Sequence, residues 1–153
     1  MSRRAVRPTR PARVLAAVGL ARLLARLSPA RLRTVLDRLS RGARPAVYAE
    51  ASAAREAVTA ASPRCGRPEA CLPLSLATVL LCRSGGTWPI WCVGVRRLPP
   101  FGAHAWVEAQ GRPVGEEHPP DYFRAFFTVP DRAGQEAAGP VGTADAGARS
   151  RTP

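Results

Sequence analysis

A chain of 153 residues with a net charge of +12 has room for one modest hydrophobic core, which excludes a multidomain enzyme and leaves one small enzyme or one binding module. All 23 basic residues are arginine, and lysine and asparagine are absent beside abundant Ala, Gly and Pro, so part of the charge reads as GC-rich coding. The rest is unevenly placed: residues 1–50 hold 12 arginines against Asp37 and Glu50, and the remaining chain holds 11 against nine acids, so attraction to anions belongs to the first third.

In chain order, residues 1–12 (MSRRAVRPTRPA) alternate Arg and Pro and read as a disordered basic arm. From Arg13, Val14, Val18, Ala21 and Leu24, together with Leu20, Leu23 and Leu27, recur at spacings of three and four, predicting an amphipathic helix with arginines outermost. Arg22 and Arg26 cut its apolar run well short of the roughly 20 residues that a membrane span needs, so neither a span nor a secretory signal is expected. A cytoplasmic chain with four reduced cysteines follows. Ser28-Pro29 opens a second helix carrying Leu32, Val35, Leu36 and Leu39, ended by Gly42 and Pro45. A third helical stretch covers about Val47 to Ala60.

The segment SPRCGRPEA is a loop. CLPLSLATVLLCRSGG then predicts a buried helix opening at or near Cys71 and closed by Gly85-Gly86, with Pro73 in its first turn. A strand follows from about Ile90 to Val95. In AHAWVEAQ, His104, Trp106 and Glu108 share one face of the next strand, Gln110-Gly111-Arg112 turns the chain, and Pro113 to Gly115 returns. Residues 131–153 read as a disordered tail. The organisation is thus an arm (1–12), a helical region (13–60), an α+β core (61–130) with a helix packed on a small antiparallel sheet, and the tail.

The core orders helix, strand, strand and turn so that a cysteine, a histidine and an acid appear in succession. Cys71 at a helix start is placed to gain thiolate character from the helix dipole and from a neighbouring imidazolium. His104 on an adjacent strand can take the thiol proton and later give it to a leaving amine. The imidazole needs an acceptor on its other nitrogen, and Glu116, twelve residues on and past the turn, can supply it. Cys82 and Cys92 sit in apolar runs and read as inert packing. No cofactor and no metal is called for, since the cysteine spacings lack the paired C-x-x-C form of zinc sites.

The stretch CLPLSLATVLLCRSGGTWPIWCVGVRRLPPFGAHAWVEAQGRPVGE, residues 71–116, resembles the transglutaminase-like cysteine peptidases of lasso-peptide biosynthesis, the leader peptidases typified by the microcin-processing enzyme. The carrying features are C-L-x-x-S-L-A, the G-V-R-R strand end, P-F-x-A-H-A-W-V-E and G-x-P-V-G-E; upstream, LARLLARLSPARLRTVLDRLSRGARPA is similar to the helical region of stand-alone actinobacterial members. The resemblance implies a transglutaminase/papain-like cysteine peptidase core. It also implies removal of the leader from a ribosomal precursor peptide, with Cys71 as nucleophile, His104 as general base then acid, and Glu116 as the third member. Family members usually carry Asp at that place, which leaves Glu117 as a substitute. Where members often have Arg shortly after the cysteine, this chain has Pro73-Leu74. The implied partners are the precursor leader, a separate small leader-recognition protein and the ATP-dependent macrolactam synthetase.

Three other readings compete. The same constellation could pass the acyl group to an amine, as an amide-forming transglutaminase does. The arginine-rich first third could bind nucleic acid, although it holds no recognition helix, zinc spacing or aromatic platform, so no nucleic-acid partner is expected. Structural zinc is the third.

Overall fold

The computed structural model describes residues 10–119 and 121–131; the expectations for residues 1–9 and 132–153 lie outside it. Helix α1 spans Pro11–Leu24, two residues earlier than the periodicity predicts, because a proline in the first turn gives up no helical hydrogen bond. It buries Val14, Ala17, Val18, Ala21 and Leu24, whereas Leu20 and Leu23, expected on the apolar face, lie outward with Arg13 and Arg22. Helix α2 (Pro29–Ser40) buries Leu32 and Leu36. Strand β1 is the pair Arg44–Pro45, and helix α3 (Tyr48–Ala61) turns Ala51, Ala54 and Val58 inward. The predicted loop after it folds as two 3-10 turns, Pro63–Gly66 and Pro68–Ala70, which deliver the chain to helix α4 at Cys71–Ser84.

Helix α4 is the axis of the molecule. Every residue from Leu74 to Cys82 is buried, as expected for a helix apolar all round, and it packs on α1 and α3 on one side and the sheet on the other. Its two interior hydroxyls are satisfied within the helix, Ser75 donating to the Leu72 carbonyl (3.0 Å) and Thr78 to that of Leu74 (2.8 Å). Ser75 Oγ also accepts the Trp91 indole N–H at 3.0 Å, a buried bond tying helix to sheet.

The remaining strands are β2 (Thr87–Trp88), β3 (Ile90–Arg96), β4 (Ala103–Ala109), β5 (Arg112–Pro113) and β6 (Phe123–Val129). Strand β2 pairs in parallel with β1. The main sheet is antiparallel in the order β5-β4-β3-β6, so the architecture is α+β, four helices with a small antiparallel sheet. Sequence periodicity misses β6, because its alternation is broken by a bulge: Val93 pairs with Phe127 and Gly94 with Ala125, which leaves Phe126 unpaired and exposed. At that point the strands nearly touch, and a Cβ on Gly94 would lie 1.9 Å from the Arg124 carbonyl oxygen.

Strands β5 and β6 lie at opposite edges, so the chain between them crosses a face of the sheet. That crossover covers the side away from the helices, where Cys92, Trp106 and Phe123 form a second small core with Ile90 and Tyr122. No helix among the described residues is long and apolar enough to cross a membrane.

Candidate active site

Cys71, His104 and Glu116 line one cavity of about 390 Å³, together with Glu117. Each comes from a different element. Cys71 is the first residue of α4, half-buried at the end of the helix that otherwise disappears into the core. His104 lies near the start of β4, and Glu116 lies on the crossover just after β5. Gly115 has φ +66, a left-handed conformation that glycine adopts without strain, and the Arg55 guanidinium lies where a side chain at 115 would begin.

His104 Nε2 is 3.2 Å from Glu116 Oε1, with only 12% and 15% of the two side chains exposed. The Nε2–H does not aim along the line to that oxygen, so the contact is an ion pair more than a directed hydrogen bond. The ring itself is held by stacking: Phe123 lies 4.5 Å away, centroid to centroid, nearly parallel, and Trp106 is 5.8 Å away on the same face. Trp106 is buried and gives its indole N–H to Glu108 at 2.9 Å, so it acts as packing beside the imidazole. Glu117 is exposed.

The charges at the site depend on one another. The Cys71 thiol is held below its ordinary value, first by its hydrogen bond with His104, against the opposing cost of burial, and further by the backbone N–H groups of Ala105 and Leu72. The Ala105 N–H is available because β5 is short: it pairs only with Glu108 and Ala109, which leaves the first half of β4 without a strand partner on that edge. Burial alone would lower the His104 value, but Cys71 and Glu116 together outweigh it and raise the imidazole to about 9. A thiol moved down and an imidazole moved up both favour the arrangement in which the proton sits on the ring and the charge on the sulfur.

The other cysteines behave differently. Cys65, Cys82 and Cys92 are buried and form no disulfide, and burial pushes Cys82 up to about 12. Among the described residues no group of three His, Cys, Asp or Glu side chains is arranged to hold a metal ion.

Several pocket residues carry no sign of a site role in the sequence. Arg55, Arg67, Arg96 and His118 line the cavity, and Phe123 carries the stacking on His104. Arg96 lies within the G-V-R-R strand end of the sequence, and strand register places it two residues beyond Gly94, the partner of His104.

Comparisons with curated proteins and with solved structures give no match. The family model of the transglutaminase-like superfamily, by contrast, matches residues 14–128, from the first buried residue of α1 to the penultimate residue of β6. That span holds all the residues gathered at the cavity, and the chain belongs to the transglutaminase-like superfamily.

Proposed function

We propose that the protein is a cysteine peptidase of the leader-removing kind, acting on a lasso-type ribosomal precursor peptide. Membership of the transglutaminase-like superfamily supports cysteine peptidase or transglutaminase-type activity in general. The resemblance of residues 71–116 to lasso leader peptidases supplies the finer substrate. The observation that carries the chemistry is the lowered Cys71 thiol facing a raised His104, itself in ionic contact with Glu116 inside an open cavity.

In this reading the Cys71 thiolate adds to the carbonyl of the scissile bond. His104 gives its proton to the nitrogen of the core peptide, the C–N bond breaks, and the leader remains as a thioester. The now neutral imidazole takes a proton from water; the resulting hydroxide releases the leader acid and returns the thiolate–imidazolium pair. Glu116 acts on the ring, keeping Nε2 protonated so that Nδ1 faces the sulfur. The Ala105 and Leu72 N–H groups, which converge on the sulfur, are the nearest donors for an oxyanion formed beside it.

The partners in this proposal are the leader, a small leader-recognition protein and the ring-closing synthetase. Incubating the precursor with the protein and such a recognition partner, followed by mass spectrometry, tests it. Leader release is expected with the natural chain and lost with Cys71→Ala and with His104→Ala. Cleavage unaffected by Cys71→Ala would end the proposal, and a product joined to an amine instead of water would replace it with amide formation.

A further inference from the structure

Three arginines line the cavity that holds Cys71, and among the described residues none of them has a carboxylate partner. Arg55 lies against Gly115, and Arg67 is exposed on the turn before α4. Arg96 differs from both. It ends β3 on the same face as His104, its backbone N–H is fixed to the Gly102 carbonyl at 3.2 Å, and Phe123 is its neighbour on β6. Its Nε is buried and donates to nothing. A buried donor on a charged group that finds no acceptor is costly, and native proteins leave few of them without a purpose.

The nearby acids do not answer that need. Glu116 is in ionic contact with His104, and Glu117 stands exposed without an ion pair to Arg96. Nε and one Nη of a guanidinium form a planar fork matched to the two oxygens of a carboxylate. A dianionic phosphate fits less well beside Glu116, Glu117 and a thiolate. We propose that Arg96 is a substrate-recognition residue of the Cys71 cavity, taking a carboxylate carried by the acyl substrate close to the reacting carbonyl.

The inference rests on Cys71 being the reactive thiol, and it adds the substrate class: a peptide with an acidic side chain, or a free main-chain carboxylate, beside the bond attacked. The unpaired Arg55 and Arg67 add a positive background that draws such a peptide in, whereas Arg96 would bind it. Recognition of this kind discriminates steeply, since a substrate lacking the carboxylate leaves the buried Nε–H unanswered.

Three alkylating probes test this, each delivering the same iodoacetyl carbon to Cys71. They are N-iodoacetylglutamine amide (neutral), N-iodoacetylglutamate α-amide (side-chain carboxylate) and N-iodoacetylglutamine with its main-chain acid free. The natural protein is expected to react faster with at least one acidic probe than with the neutral one. Arg96→Gln should lower that acidic rate roughly 10- to 100-fold, the span of one charge-assisted hydrogen bond, and leave the neutral rate within about twofold. Arg96→Lys should recover part of it. The faster acidic probe identifies the source of the carboxylate. Equal acidic-to-neutral ratios in natural and Arg96→Gln proteins would overturn the inference while leaving Cys71 reactive.

If Cys71 reacts with none of the three probes, the acyl-transfer reading falls, and a binding measurement decides the inference alone. Cys71→Ser protein is titrated with N-acetylglutamate methylamide, N-acetylglutamine or N-acetylglutamine methylamide while the Arg96 Nε–H resonance is followed by NMR. Saturable movement with either acid and none with the neutral amide supports it; no movement with either acid overturns it.

Discussion

Replacing Glu116 by Gln keeps the shape of the side chain and removes its charge, which isolates what the carboxylate does to His104. The imidazole stands at about 9 against an ordinary 6.5, equivalent to about 3 kcal/mol in favour of the charged ring, and this is reached against the cost of burial. A charge-assisted contact between groups this sheltered contributes roughly 1.5–3 kcal/mol, so its loss should bring His104 down by about one to two pH units. Cys71 moves the other way, because a ring less often protonated holds the thiolate less well. The pH window in which thiolate and imidazolium coexist therefore narrows from both sides. Because the folded value of His104 is raised, the stability it contributes is present below about 6.5 and fades as pH climbs through about 9. Glu116→Gln should thus cost most stability at acidic to neutral pH and least above 9. The assay is the rate of Cys71 alkylation by iodoacetamide against pH, with the His104 ring proton titrated by NMR in parallel. Cys71 is the half-buried thiol and the other three are buried, so the modified site can be assigned by mass. Superimposable titrations of His104 in the natural and Glu116→Gln proteins would refute the reasoning.

Further expectations concern residues around this pair. Cys82→Ala should leave alkylation of Cys71 and turnover unchanged, since Cys82 is buried with its thiol held protonated near 12; a lost activity in a folded protein would contradict that. Gly94→Ala should destabilise the fold by about 1–3 kcal/mol in thermal or urea unfolding, because the new methyl meets the β6 backbone at Arg124, and it should disturb the Phe123 stacking on His104. Gly115→Ala should cost about 1–2 kcal/mol from its left-handed backbone and weaken the hold of Glu116 on His104, seen as a lower ring titration. Phe123→Leu should leave the fold intact and lower kcat more than it raises KM, because it frees the ring that moves the proton.

The parts of this molecule that follow a regular period are legible in the sequence. Helix α4 is written in a mostly apolar run with Pro73 in its first turn and Gly85-Gly86 beyond its last residue, and β4 in the alternation of AHAWVEA. The meeting of Cys71, His104 and Glu116 in one cavity has only an ordering in the sequence, and their distances come from packing. Strand β6 is hidden because the bulge at Phe126 shifts the facing by one, so Phe123 and Phe127, which a period of two would put on one face, pack into different cores. The parallel contact of β1 with β2 joins segments about forty residues apart and leaves no local trace. Leu20 and Leu23 fit the helical period of α1 yet face outward, since periodicity marks a stripe without saying which of two adjoining rows is covered. Arg96 stands in the G-V-R-R strand end, but only register sets it near His104.

The indole of Trp91, donating to Ser75, spans the seam between the two layers that each carry one half of the reacting pair. A helix gliding along that seam by a fraction of a turn would draw sulfur and ring apart long before any hydrophobic side chain met water. Loss of this single rivet should consequently appear as a protein whose turnover falls further than its melting temperature, a decoupling of competence from durability built into the way the layers are fastened.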